Sequence, residues 1–202
     1  MRAPRRPDAQ TPRKTAARSD GAGGVQGELW AVADGGRADA LHSQPVAVQR
    51  FDYFQGEPDT TNNLMALRSA IAALDLLGAR GGPWTVTFVS DSNYLVQGMT
   101  EWVSAWRARG WRRKSGAVEN LDLWKELVAK AAAHDVHRQW VRGHAGHPKN
   151  EYANELAMRA AARLLDSHGL VASGFADWIE LERKKGRYRG YDPDADWAAM
   201  SR

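Results

Sequence analysis

Two aspartates stand where an α/β chain collects chemistry. Asp34 closes the stretch ELWAVAD at about 28–34, and Asp91 closes WTVTFVSD at 84–91. Both stretches read as strands, and sites gather at the carboxyl ends of strands joined by crossover helices. Two neighbouring strands ending this way set two carboxylates side by side. Such a pair repels itself, and a divalent cation is its natural neutraliser. Oxygen ligands in a chain without cysteine favour Mg²⁺ or Mn²⁺ over Zn²⁺. Taken alone, Asp91 before Ser92 serves equally well as a turn former or helix cap. GHAGHP at 143–148 adds a glycine-rich loop with His144 and His147, between a strand and a helix. A histidine on such a loop can protonate a leaving oxygen or shuttle protons; His147 reads more simply as a surface histidine. Asn154, six residues beyond Pro148, offers a metal an amide oxygen without a carboxylate's charge.

The elements that must position these groups follow from periodicity and punctuation. TTNNLMALRSAIAALDLLGARGG reads as a helix with a threonine cap and a glycine stop. PVAVQRFDYF at 45–54 is β-rich and reads as a strand or tight meander. Ser92 to about Arg109 is helical with a tryptophan stripe, 120–134 is a helix, and VHRQWVRG at 136–143 is a strand. Pro148 opens a last helix through about Leu165. The order β, β, α, β, α, α, β, α implies a mixed sheet packed by helices.

Around this body, residues 1–27 read as a disordered basic arm, rich in Pro, Gly, Ala and Arg. Residues 28–165 form the domain, and 166–202 a tail with a possible short helix near 176–185. Of the net charge of +4, the arm carries all, and 101–114 (EWVSAWRARGWRRK) concentrates five basic residues against Glu101. Two basic patches on a neutral body point to a polyanion partner, with solubility an equal alternative for the arm. The absence of cysteine excludes disulfides and thiolate chemistry and fits a reducing, cytoplasmic setting. No apolar run approaches the roughly 20 residues that span a bilayer, so no membrane is expected.

ADGG, TTNNLMAL, VSDSNYLVQGMTEWVSAWRARGW, NLDLW and WVRGHAGHPKNEYANELA, in order from about 28 to 165, resemble the bacterial type 1 ribonucleases H. The resemblance implies an α/β ribonuclease H-like fold: a five-stranded mixed sheet flanked by helices, here with a shortened second strand and hairpin. It implies a monomer that binds RNA/DNA hybrid or duplex and cuts the RNA strand with two Mg²⁺ (or Mn²⁺) ions. On that resemblance Asp34 and Asp91 are catalytic and metal-binding acids, and His144 is the mobile histidine that assists turnover. Asn62, Asn63 and Asn93 match hybrid-contacting positions, since short donor–acceptor side chains suit a minor groove lined by 2′-hydroxyls. Thr61 and Asn120 match a phosphate pocket for the DNA strand. Trp102, Trp106 and Trp111, with Arg107, Arg109, Arg112, Arg113 and Lys114, match a basic protrusion holding that strand. Trp102 and Trp106, four apart, share one helix face and read as packing, leaving phosphate contacts to the cations.

The chain departs from the family at two acid positions. Ala66 stands where the family has glutamate, and Asn154 where it usually has aspartate. The turn after Asp34 is replaced by GRADALHSQ. Losing a ligand beside two cations weakens metal binding and misplaces the attacking water. Asp75 is half a revolution out of phase with Ala66 at 3.6 residues per turn, and Glu57 and Asp59 precede the helix. None is a convincing replacement. Two functions follow: a hybrid ribonuclease with a reduced acid set, or a module that binds hybrid or duplex and cuts it poorly or not at all.

Overall fold

The computed structural model describes the backbone of residues 23–24 and 29–30, and residues 49–195 in full. Its framework is helix α1 (Asn62–Gly78) against helix α4 (Leu121–Ala131) and strand β5 (Thr85–Ser90). Thr61 caps α1, its Oγ1 accepting from the Leu64 N–H at 3.2 Å. Beyond the cap, Ala66, Leu67, Ala70, Ile71 and Leu74 fall on one buried face. Phe88 and Val86 of β5 and Trp124 and Leu127 of α4 complete that core. Burial of these large side chains is the main force holding the body together, at about 1.5–3 kcal/mol for each fully buried aliphatic or phenylalanine side chain.

Strand β2 (Leu29–Trp30), β5 and β8 (Asp135–Trp140) form the central sheet in that order. β5 and β8 run parallel from Thr85↔Asp135 to Ser90↔Trp140. β2 pairs antiparallel with β5, Leu29 opposite Phe88 and Trp30 opposite Thr87. The sequence reading has two acid-ended strands sharing one sheet edge; the described part of the first strand instead heads away from the Asp91 end of β5. Five strands are expected, and three form this sheet among the described residues.

Three short pairs surround it. β1 (Gly23–Gly24) pairs with β4 (Gly56–Glu57), β3 (Phe51–Asp52) with β9 (Val171–Ala172), and β6 (Arg112–Arg113) with β7 (Gly116–Ala117). Gly23–Gly24, inside the stretch expected as an arm, pair with Gly56–Glu57. The last helices, α5 (Pro148–Arg163) and α6 (Phe175–Lys184), share a second apolar cluster of Tyr152, Phe175 and Ile179. The tail is thus packed onto the domain through 195, with aromatic residues whose irregular spacing hid their common face.

The segment after Asp91 is not one regular helix. α2 (Asn93–Gln97) passes through a π turn at Gly98–Trp102 into α3 (Val103–Ala108). The cause is local. A Cβ on Gly98 would lie 2.1 Å from Cη2 of Trp124, so the glycine admits the ring edge of a fully buried tryptophan. The helix widens by one residue around that contact, as π bulges do.

Candidate functional site

Asp91 follows β5 directly, half-buried at the carboxyl end of that strand. Ser92 caps α2, accepting from the Leu95 N–H at 3.3 Å, so the cap role falls to Ser92 and not to Asp91. The Asp91 carbonyl accepts from Trp140 Nε1 at 3.2 Å, and its carboxylate meets the backbone of Gly143. A Cβ at 143 would lie 2.7 Å from Asp91 Oδ2. Only glycine lets the histidine loop approach the acid this closely. The carboxylate has no cationic partner among the described residues.

The loop itself is fixed at one end and open at the other. His144 is exposed with φ +52°, in the left-handed region, and Gly146 follows at φ +80°. Gly146 N–H donates to Glu151 Oε1 at 3.4 Å, a weak latch from loop to α5. His147 is not the free surface histidine of the simpler sequence reading. It caps α5, Nδ1 accepting from the Asn150 N–H at 3.4 Å, and its ring lies 6.4 Å from that of Tyr191. Asn154 sits two turns further along α5, half-buried, with Nδ2 directed to Met158 Sδ at 3.6 Å. That leaves its amide oxygen for a cation. No hydrogen bond joins Asn154 to Asp91 among the described residues. Asp34 lies outside them.

Ala66 is 1% exposed and belongs to the main core cluster. The acids nearest in sequence are engaged elsewhere: Glu57 pairs with Arg68, and Asp75 with Lys130. Asp59 is exposed in the turn before α1, with φ +51°. Among the described residues no three His, Asp or Glu side chains gather to hold a metal. Asp91 and Asn154 nevertheless offer the oxygen donors that a hard divalent cation takes, with no soft ligand to divert it. In donor type they fit such an ion; in number they fall short of a full set.

The residues expected to touch nucleic acid are better preserved in their surroundings. Thr61, Asn62, Asn63 and Asn93 are all exposed at helix starts. Thr61 accepts one backbone bond and keeps its own O–H to give away. Trp102, Trp106, Trp124 and Tyr94 form a ring cluster with centroid spacings of 5.3–5.9 Å. Trp102 and Trp106 pack within this cluster. Tyr94 is the hub that sequence reasoning missed. Its hydroxyl accepts from Trp124 Nε1 at 2.9 Å and Asn120 Nδ2 at 3.3 Å, and donates to the Glu119 carbonyl at 3.3 Å. Asn120 stands at the start of α4 with φ +53°, in the left-handed region that asparagine tolerates.

Gly110 and Trp111 both have positive φ, +64° and +63°, and Trp111 N–H donates to the Trp106 carbonyl at 2.7 Å. This turn reverses the chain after α3 and projects β6. Arg107, Arg109, Arg112, Arg113 and Lys114 are exposed on it. A cavity of about 260 Å³ is lined by Tyr94, Trp102 and Trp106 together with Arg109, Arg113, Lys114 and Glu119. Three cations against one acid, beside aromatic rings, suit a sugar–phosphate chain.

The ribonuclease H family model matches residues 32–162 of the chain. The chain belongs to the ribonuclease H family. Among its relatives is the ribonuclease H of Alcanivorax borkumensis, 44% identical over 119 residues, covering 58% of this chain and 77% of that protein. The ribonuclease HI of Caulobacter vibrioides is 52% identical over 103 residues, covering 50% of this chain and 67% of its own. A crystal structure, LC9-RNase H1, superposes with a TM-score of 0.62 at 50% identity, covering 68% of this chain and 66% of its own. It is described as a type 1 RNase H with the type 2 active-site motif. This member of the family has the α/β ribonuclease H-like fold, and its matched span contains Ala66, Asp91, His144 and Asn154.

Proposed function

We propose that the chain binds RNA/DNA hybrid through the protrusion and the α1 and α2 starts, and hydrolyses the RNA strand beside Asp91. The observation that carries this reading is the seat of Asp91: a carboxylate at the end of β5, with no cationic partner among the described residues and with the Gly143 backbone of the histidine loop against it. Asp91 and the Asn154 amide would hold Mg²⁺ or Mn²⁺; Asp34, which the family resemblance adds to this set, lies outside the described residues, beyond a β2 pair that leads away from Asp91. When bound, such ions stabilise the charge of the scissile phosphate and favour an ionised water. The chain's own residues set the geometry. Asn62, Asn63 and Asn93 read the hybrid groove, Thr61 and Asn120 hold a DNA-strand phosphate, and the arginines neutralise its neighbours. His144, exposed on an open loop, passes a proton to the departing 3′ oxygen or to solvent. Among the described residues no helix is long and apolar enough to cross a membrane.

A second reading is favoured by one specific feature: Ala66 is packed into the core, and Glu57 and Asp75, two acids near it in sequence, are held by Arg68 and Lys130. With no replacement ligand, cleavage is weak and binding is the stronger property.

The test is cleavage of a labelled hybrid, with Mg²⁺ and with Mn²⁺, by the full chain and by Asp91→Asn. Slow cutting of the RNA strand, lost in the variant, supports the enzyme. Binding with no cutting in either metal leaves the module. Absence of binding to hybrid and to duplex overturns both.

A further inference from the structure

The largest charge run left unused by the site is at the C-terminus. Arg183, Lys184, Lys185, Arg187 and Arg189 fall within seven residues, interleaved with Tyr188, and no acid lies between 183 and 191. A run of this kind is usually a solvated face. Its placement here argues for more.

The segment is anchored to α5 from below. β9 pairs with β3, whose Asp52 accepts from Tyr152 Oη at 2.5 Å, Ser173 Oγ at 2.7 Å and the Gly174 N–H at 3.0 Å. Burial first, and then the Asp52 carboxylate, push the Tyr152 hydroxyl well above the ordinary tyrosine range. Phe175 and Trp178 of α6 pack on the Tyr152 ring at 5.4 and 5.5 Å, and Trp178 Nε1 donates to Glu155 Oε2 at 2.7 Å. At its other end α6 leads back toward the loop. Arg183 Nη2 donates to the Tyr191 carbonyl at 2.7 Å, and Tyr191 lies against His147. The basic end of α6 therefore faces the start of α5, where the 143–148 loop begins its approach to Asp91.

The charges there are not all used internally. Arg183 pairs with Glu180, and Lys185 and Arg187 share the buried carboxylate of Glu182. Those three cations have two acids between them. Lys184 and Arg189 are exposed and have no acidic partner among the described residues. The Glu182 cluster holds the segment's shape, and Lys184 and Arg189 stand out from it.

We propose that residues 183–191 are a second backbone contact for the nucleic acid, on the histidine-loop flank of the site, with Lys184 and Arg189 as its phosphate-facing cations. The proposal rests on the reading of the protein as a hybrid binder. A duplex carries a negative charge about every 1.7 Å of its axis, so a cationic ridge beyond the protrusion engages phosphates that the protrusion does not reach.

The experiment is hybrid binding by fluorescence anisotropy across a salt series, in EDTA so that nothing is cut. It uses the full chain, the double variant K184A/R189A, the charge-keeping variant K184R/R189K, and R112A/R113A in the protrusion. Each neutralised phosphate contributes about 0.9 to the slope of log K against log salt, so K184A/R189A lowers that slope by about 2. K184R/R189K keeps the native slope. Because both residues are exposed, equal thermal midpoints confirm that the variants are folded. A native slope in K184A/R189A, with a reduced one in R112A/R113A, overturns this proposal and leaves hybrid binding standing. No binding by the native chain overturns the function itself.

Discussion

The protrusion and the acid site are held together by different forces. From Tyr94 to Trp124 four aromatic rings pack edge to face and tilted, and the cations ride on that packing. Around Asp91 the geometry rests on a glycine's close approach and a 3.4 Å loop latch. Clustered carboxylates repel, and only a cation makes their proximity favourable. An alanine in place of an acid avoids that repulsion and joins the apolar core, as Ala66 does, while the binding surface is untouched. Stability and chemistry therefore separate along the chain: the packed region tolerates loss of ligands, and the ligand region gains stability by losing them.

Ala66→Glu strains this comparison most. Position 66 is 1% exposed inside the core, where an uncompensated carboxylate costs several kcal/mol. In EDTA the variant's thermal midpoint falls well below that of the native chain. Mg²⁺ or Mn²⁺ then raises the variant's midpoint more than the native one, because the added ligand is stabilised only by the ion. An identical metal response in both chains, read by differential scanning fluorimetry, means the new side chain does not reach the cation. The acid site would then be lost for reasons beyond a single ligand.

Gly143→Ala comes next. The new Cβ meets Asp91 Oδ2 at 2.7 Å, so loop or carboxylate must move. A displacement near 1 Å at a reacting centre costs about 100-fold in rate. Single-turnover cleavage falls by that order, while hybrid affinity measured without metal stays at the native value. A matching loss of affinity would tie the two regions together and break the contrast drawn between them.

Much of this was legible in residue order. The spacing of apolar residues after Thr61 marks α1, and the β-branched run at 85–90 marks β5. The resemblance rests on motifs from Asp34 to Asn154, and the family match spans them. What periodicity missed depends on contacts far apart in the chain. Nothing near Gly98 announces that Trp124, in another helix, will press on it. Gly143 reads as loop flexibility until Asp91 is found against it. Tyr152 and Trp178 lie 26 residues apart, and only the turn through β9 brings their rings together. His147 carries no mark separating a cap from a surface residue; Asn150, three positions on, decides it.

Tyr94→Phe is the smallest perturbation and acts on the packed region alone. A hydroxyl has one proton and two lone pairs, and Tyr94 uses all three on Glu119, Trp124 and Asn120. Phenylalanine keeps the ring contacts at 5.3 and 5.9 Å and removes only these bonds. Trp124 is 0% exposed, so its indole N–H loses its partner without access to water, a cost of about 2 kcal/mol. Asn120, half-buried, can turn to solvent instead, and it loses the tether that aims its amide. The urea midpoint falls accordingly, and hybrid affinity declines a few-fold with no change in the rate at which bound hybrid is cut. If affinity holds at the native value while stability falls in full, Asn120 does not touch the backbone. The grip of the protrusion then belongs to its cations alone, and the ring cluster serves only to carry them.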